Sequence, residues 1–430
     1  MPRQVPDLPV TFRVPHSPFR IRTVGLALSV LAICIATLRP DGHTLPTGWT
    51  FALAAGDEAA AELIQNLLLF IPFGVALALR SPSPERRGGQ GVRTERGGGQ
   101  GVRHLLLAGV ALSFTVEFLQ QWIPGRDPSL GDIVTNGLST LLGGAIVWTA
   151  PRWLHPPDTR APWWSLGAAT VAAAAWLATG WLFQPSFPHS TYYDRWTPDI
   201  PKWPNYKGQI EWATLGTQVL EQGPIGGDER SLAADEPIRV HATAGAPTEG
   251  RAPLFTITGE DGHDVFILGV DRKDLLIVYR TRAAALTLAR PDLRVRNALA
   301  AVQPGDTFTV AARRACVNRA CSLGYTIGDA WKLIFFPEHF PPWALGLLNA
   351  MWVGGGLLGV GLWGSLGRRH LATGAALLLA AATLGFGPGL VGLKPTPLCE
   401  WLGAAAGLAV GWLAGRGRYP LSSLRAPPSY

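Results

Sequence analysis

The sequence predicts a multi-pass α-helical membrane protein of about eight spans, with an inserted extracytoplasmic all-β sandwich domain. Three observations predict it. Apolar runs recur at about 23–38, 63–79, 104–123, 129–150, 164–183, 342–364, 371–393 and 397–414. Most of them approach the ~20 residues that cross a ~30 Å hydrocarbon layer at 1.5 Å per residue. Only 16% of the 430 residues are charged, against about 25% in an ordinary soluble domain. Between the fifth and sixth runs the pattern changes to short β-prone segments separated by Gly, Asp and Pro.

The formal charge of +7 is distributed in a way that excludes a nucleic-acid surface. Residues 185–340 hold 17 Lys+Arg and 18 Asp+Glu, and the rest of the chain holds 20 and 12. That excess sits in short loops beside apolar runs, the signature of membrane orientation. With the N-terminus inside, the cytoplasmic side receives Arg3, Arg13, Arg20 and Arg22, then Arg80, Arg86, Arg87, Arg93, Arg96 and Arg103. It also receives Arg152, Arg160, Arg368, Arg369, Arg416, Arg418 and Arg425. The short outer loops keep Arg39, Arg126 and Lys394. The expectation is therefore a bacterial inner-membrane protein with both termini cytoplasmic and residues 185–340 extracytoplasmic.

The elements follow in order. Residues 1–22 form a cytoplasmic segment, and 23–153 form a four-helix membrane domain. Arg39-Pro40-Asp41 directly follows the first run, which reads as a signal anchor. Arg87-Gly-Gly-Gln-Gly-Val-Arg93 and its near-copy from Arg96 to Arg103 read as a flexible cytoplasmic insertion, since glycine-rich charged sequence buries no core. A fifth helix spans 164–184, and a sandwich occupies 205–335. Three helices over 342–414 and a cytoplasmic tail over 415–430 complete the chain.

Within the sandwich, strands are expected at Ile238–Ala244, Leu254–Gly259, Val265–Val270, Leu275–Arg282 and Thr307–Arg313, with a hairpin turn at Val270–Leu275. Cys316 and Cys321 are separated by four residues on the oxidising side, a spacing that suits a disulfide at a hairpin tip. No paired Cys/His set accompanies them, so no metal or other cofactor is predicted. Cys34 and Cys399 lie in or beside spans and read as small apolar fillers.

A polar inventory concentrates where spans two, three and four meet the outer surface. Glu62 and Asn66 are four apart on one helix face, followed by Pro72 and Gly74. Glu117 and Gln120 share a face of span three. Asp127-Pro128 reads as an N-cap with proline at the first helical position, and Asp132 and Asn136 follow on one face, with Gly137, Gly143 and Gly144 permitting tight packing. Arg126 lies in the turn within reach of Glu117 or Asp132. Two readings stay open. The groups lock an outer hairpin, or they line a pocket in which the guanidinium grips a phosphate or carboxylate.

Asn66-x3-Phe70-Ile-Pro72-x-Gly74 and Glu117-x2-Gln120-x5-Arg126-x5-Asp132-x3-Asn136-Gly137 resemble the VanZ family of bacterial membrane proteins over about residues 25–150. That family is named for a member linked to teicoplanin (glycopeptide) resistance. The resemblance implies an envelope role and a shared polar site. Leu254–Gly269 and Leu275–Arg282, with Val317-Asn318-Arg319, resemble LamG-type concanavalin A-like sandwiches, which implies carbohydrate binding.

The predicted ligand-binding set is thus Asn66, Glu117, Gln120, Arg126, Asp132 and Asn136, with Glu62 and Glu400 in a second tier. The ligand expected is an anionic lipid-linked or cell-wall component, alongside the bilayer itself. No Ser–His or metal-ligand set occurs in the spans, so the residues favour binding over catalysis. The alternatives are a membrane-embedded enzyme acting on lipid-linked head groups, with Glu117 as general base, and an envelope assembly scaffold. Trp203, Trp212, Trp331 and Trp343 are candidates for a sugar platform, and His241 and His263 read as surface or turn histidines.

Overall fold

The computed structural model describes residues 18–40, 45–46, 48–50, 58–80, 96–188, 190–200, 203–225, 236–313, 315–317, 320–322, 324–335, 340–367 and 370–417. Arg3, Arg13, Arg86, Arg87, Arg93, Asn318, Arg319, Arg368, Arg369, Arg418 and Arg425 of the sequence arguments lie outside these residues. The chain divides into two compact units. One is residues 1–54 with 63–154, and the other is residues 55–62 with 155–430.

The first unit is helical. It comprises α1 (Pro18–Thr37), most of α2 (Ala59–Ala78), α3 (Arg96–Gln120) and α4 (Leu130–Leu154). Ile33 of α1, Phe70 and Phe73 of α2 and Val116 of α3 form its buried centre, with Val30, Leu69 and Leu112 packed against them. Helices α2 and α4 cross where side chains vanish. A Cβ on Gly74 would stand 2.1 Å from the Thr140 carbonyl oxygen, and one on Gly143 would stand 2.3 Å from that of Ile71. Without a hydrophobic drive between helices in lipid, such close approach supplies packing.

One expectation changes here. The glycine-rich copy from Arg96 to Arg103, expected to be flexible, forms the first turns of α3. A long apolar helix propagates backwards cheaply, because each added residue gains a hydrogen bond without a new nucleus. Among the described residues seven helices are long and apolar enough to cross a membrane, and the described apolar part of α1, Thr23–Thr37, is a further, shorter apolar helix at the first expected span.

The second unit joins further helices to antiparallel sheets. It holds α5 (Ala161–Leu182), α6 (Pro342–Leu366), α7 (His370–Leu390) and α8 (Leu398–Arg416). On α7, Leu371, Leu378 and Phe386 leave most of their surface uncovered, as a lipid-facing helix does. The α6–α8 seam is made of backbone. Cβ atoms on Gly354, Gly403, Gly407 and Gly411 would each fall within 2.5 Å of a carbonyl oxygen of the facing helix.

The β region contains β1 (Tyr192–Trp196), β2 (Gln209–Leu215), β3 (Gln218–Leu220), β4 (Ile238–Thr243), β5 (Ala252–Gly259) and β6 (Asp264–Asp271). It continues with β7 (Asp274–Tyr279), β8 (Leu293–Val295), β9 (Thr307–Ala312), β10 (Ala315–Val317) and β11 (Ala320–Ser322). One sheet runs β1-β5-β6-β7-β8, a second runs β3-β2-β4-β9, and β10 pairs with β11. All five predicted strands are present, and Asp271 faces Asp274 across the predicted hairpin. β5 and β6 are buried along nearly their whole length, so they do not alternate, as strands covered on both faces do not. Strand β1 begins before residue 205, the expected domain start; its register runs from Tyr192 opposite Gly259 to Trp196 opposite Phe255. Its Asp-Arg centre hides it from an apolar pattern.

Arg294 on β8 holds the sheet edge together, reaching Asp271 at 2.8 Å, Asp274 at 3.3 Å and Asp292 at 3.6 Å. Burial alone would lower its pKa, but those carboxylates raise it overall.

Candidate polar site in the helical unit

The site grows from helix ends. α4 starts at Leu130, not at Pro128, and the capping side chain is Ser129, whose Oγ accepts from Gly131 N at 3.1 Å. Asp127 is exposed and does not cap. The reason is local. Thr50 N donates to Pro128 O at 2.9 Å and Leu130 N donates to Thr50 O at 3.1 Å, which holds Pro128–Leu130 extended.

Glu117 lies on α3 and is buried, 2% exposed. Its Oε2 accepts from Ser129 N at 2.8 Å. The carboxylate thus faces the N-terminus of α4, where orphan N–H groups and the helix dipole favour negative charge. Asp132, in the first turn of α4, lies within electrostatic reach of Glu117, as does Arg126. Asn66 Nδ2 of α2 donates to Asp132 Oδ1 at 2.9 Å.

The opposite polarity is met at the end of α1. Gln120 Nε2 donates to Thr37 O at 3.0 Å. Arg126 donates through Nε to Arg39 O at 2.9 Å and through Nη2 to Ala36 O at 3.2 Å. A cation at a helix C-terminus complements its carbonyls. Among the described residues, no carboxylate lies within ion-pair distance of Arg126, and its bonds go to neutral oxygens.

Asn136 completes the group. It is 3% exposed, and its Nδ2 donates to Ser113 Oγ at 2.9 Å while Oδ1 has no partner. Ser113 Oγ in turn reaches Asp132 O at 3.5 Å, and Ser139 Oγ donates to Leu67 O. The structure therefore brings all six predicted residues into the α1–α4 unit. It divides them among three sets of partners: Glu117 bonds to Ser129 N, Gln120 and Arg126 bond to carbonyls at the end of α1, and Asn66, Asp132 and Asn136 are linked through Ser113.

Ser113 and Ser129 were missed by sequence reasoning. Ser113 stands four residues before Glu117 and seven before Gln120, so one polar face of α3 was readable from the i, i+4, i+7 spacing. Ser129 was hidden by the stronger Asp-Pro signal beside it.

Second-tier residues lie elsewhere. Glu62 is exposed in the first turn of α2. Glu400, fully buried on α8, belongs to the second unit. Its Oε1 accepts from Thr326 Oγ1 and from Asn349 Nδ2 at 3.3 Å. Asn349 also donates to Asp329 Oδ1 at 3.1 Å and accepts from Trp331 Nε1 at 2.8 Å, while Lys332 Nζ lies 2.6 Å from Asp329 Oδ1. These bonds tie the 3-10 turn Ile327–Leu333 to α6 and α8. Asn349, two turns inside an otherwise apolar helix, was the available signal. Cys316 and Cys321 are directly opposed in the β10–β11 register, while Cys34 and Cys399 are free thiols.

Among the described residues, no cluster of His, Cys, Asp or Glu could hold a metal ion. No curated protein and no solved structure matches the chain. Residues 20–151, which contain all six predicted site residues, match the VanZ/LLP1 family model, so the part of the chain that carries the polar site is similar to that family.

Proposed function

We propose that the VanZ-like helices hold the anionic head group of a lipid-linked or cell-wall component in the bacterial envelope, and that the β region is an extracytoplasmic LamG-like sandwich recognising envelope glycans. In this reading the protein sits in the inner membrane with both termini cytoplasmic, and the family's link to glycopeptide resistance follows from handling such a component.

The observation that carries the reading is the state of Arg126. Its guanidinium is fixed by two carbonyls, and among the described residues it has no carboxylate at ion-pair distance, although Glu117 lies within electrostatic reach. A cation positioned this way keeps its charge and a terminal nitrogen for an incoming phosphate or carboxylate, and such charge-assisted bonds are about twice as strong as neutral ones. The partnerless Oδ1 of Asn136 supplies a second demand for a ligand, because a buried acceptor left unmade costs about 1–3 kcal/mol. Glu117 and Asp132 would orient hydroxyl or amide groups beside the anion.

The test is binding of a lipid-linked disaccharide pyrophosphate to the chain in nanodiscs. Arg126→Ala should weaken it by about tenfold or more, and Arg126→Lys by less, since lysine keeps charge but loses the fork. Unchanged affinity in Arg126→Ala would sink the reading. Labelling a cysteine placed at Asp127 from outside intact cells tests the sidedness.

A further inference from the structure

The four tryptophans singled out in the sequence separate in the fold, and Trp212 has the setting a sugar needs. Trp203 lies under the Arg251 guanidinium, 5.6 Å from the ring centroid. Trp331 is buried and bonded to Asn349, and Trp343 is exposed in the first turn of α6. Trp212 stands on the uncovered face of the β3-β2-β4-β9 sheet.

A β-bulge puts it there. Ile210 pairs with Ala242 and Trp212 pairs with His241, so Glu211 has no partner on β4. Strict alternation would have sent Glu211 outward and Trp212 inward. The extra residue leaves both exposed and restores Ala213 to the interior. Bulges of this kind re-aim side chains beside binding sites.

Around the indole the polar groups are already ordered. His241 stacks on Trp212 with centroids 5.1 Å apart and 13° between planes. Its Nε2 lies 3.3 Å from Glu211 Oε2, and its Nδ1 lies 2.8 Å from Thr309 Oγ1. Thr243 Oγ1 donates to Glu211 Oε1 at 2.6 Å. A carboxylate only accepts, so Nε2 carries the proton there; in the neutral ring Nδ1 accepts from Thr309. Glu211 then uses about half of its roughly four lone-pair sites, and both threonine oxygens keep acceptor capacity.

We infer that this sheet face, centred on Trp212, Glu211, His241, Thr243 and Thr309, is the contact site for a neutral pyranose oligosaccharide. The inference rests on the glycan-recognition half of the proposed function and gives it a location. A pyranose has a C–H face and a hydroxyl edge. The open side of the indole takes the first, and Glu211 with the threonine oxygens takes the second. A half-exposed carboxylate at the centre repels anionic sugars, which selects the neutral class. Because the network is bonded before any ligand arrives, little side-chain entropy is lost on binding.

The experiment uses the full chain in nanodiscs, titrated with chitotetraose and with maltotetraose. At least one should bind saturably. Trp212→Ala should weaken that binding by about tenfold, Glu211→Gln should weaken it several-fold, and Trp212→Phe should keep most of it. Tm should stay unchanged in all three, since the side chains are at the surface. Arg126→Ala should leave sugar binding intact, so failure here and failure of the head-group reading separate. Binding of neither sugar to the native chain overturns the inference and leaves the face to a protein partner. Equal affinity in Trp212→Ala also overturns it.

Discussion

Asn66 of α2 donates its amide to the carboxylate of Asp132 on α4 at 2.9 Å, about two helical turns along from the glycine crossing that brings these helices together. The bond and the crossing depend on each other. Gly74 and Gly143 allow the approach, and Asn66 supplies the donor that a half-buried carboxylate requires.

Removing that donor should be costly. Asn66→Leu strands Asp132 beside apolar neighbours, with an expected loss of about 1–3 kcal/mol. Replacing both, as Asn66→Leu with Asp132→Leu, should recover most of it. Detergent-solubilised Tm values in a double-mutant cycle measure the coupling. Additive losses would show that the two side chains do not act as a pair.

The α6–α8 seam should tolerate no side chain. A Cβ on Gly407 would lie 2.0 Å from Gly354 O, so Gly407→Leu must separate the helices. Gly374, with open space around its Cβ position, is the control. Protease resistance of the membrane fraction should fall for Gly407→Leu and not for Gly374→Leu.

Asp264 gives a pH dependence. Burial holds its carboxyl above the ordinary carboxylate range, against the hydrogen bond from Thr258. The folded state therefore binds the proton more tightly than the unfolded chain. The sign follows: stability falls as pH rises from the ordinary carboxylate pKa through the raised one. Asp264→Asn should flatten Tm across that interval. An unaltered pH profile in the variant would exclude Asp264 as its source.

Directly opposed residues of an antiparallel pair have Cα atoms about 4.5–5.5 Å apart, inside the range a disulfide spans. Cys316 and Cys321 hold that relationship. Chain isolated from cells under non-reducing alkylation should carry two modified thiols, Cys34 and Cys399, and four after reduction. Four labelled thiols without reductant would rule the bridge out.

Much of the fold was legible before any coordinates. Span positions follow from apolar run length, because lipid satisfies no backbone group and forces helices. The strands from Ile238 to Ala312 follow from short β-prone runs between turn residues. Strand β1 was not legible, since Asp194 and Arg195 interrupt its apolar residues. Nor was the helical start of α3, which depends on propagation from a distant apolar stretch.

For the polar site, sequence determined which residues gather: the i, i+3 and i, i+4 spacings of Glu117, Gln120, Asp132 and Asn136 fix shared helix faces by geometry alone. Tertiary structure decided what each one meets. Arg126 turned to the carbonyls of Ala36 and Arg39, and Glu117 turned to the backbone of Ser129, because helix ends offer unpaired groups whose demand is local. Glu400 joined Asn349 and Thr326 for the same kind of reason. Spacing along a helix reports direction, while partners depend on which chain end packs across from it, and that is settled only when the helices meet.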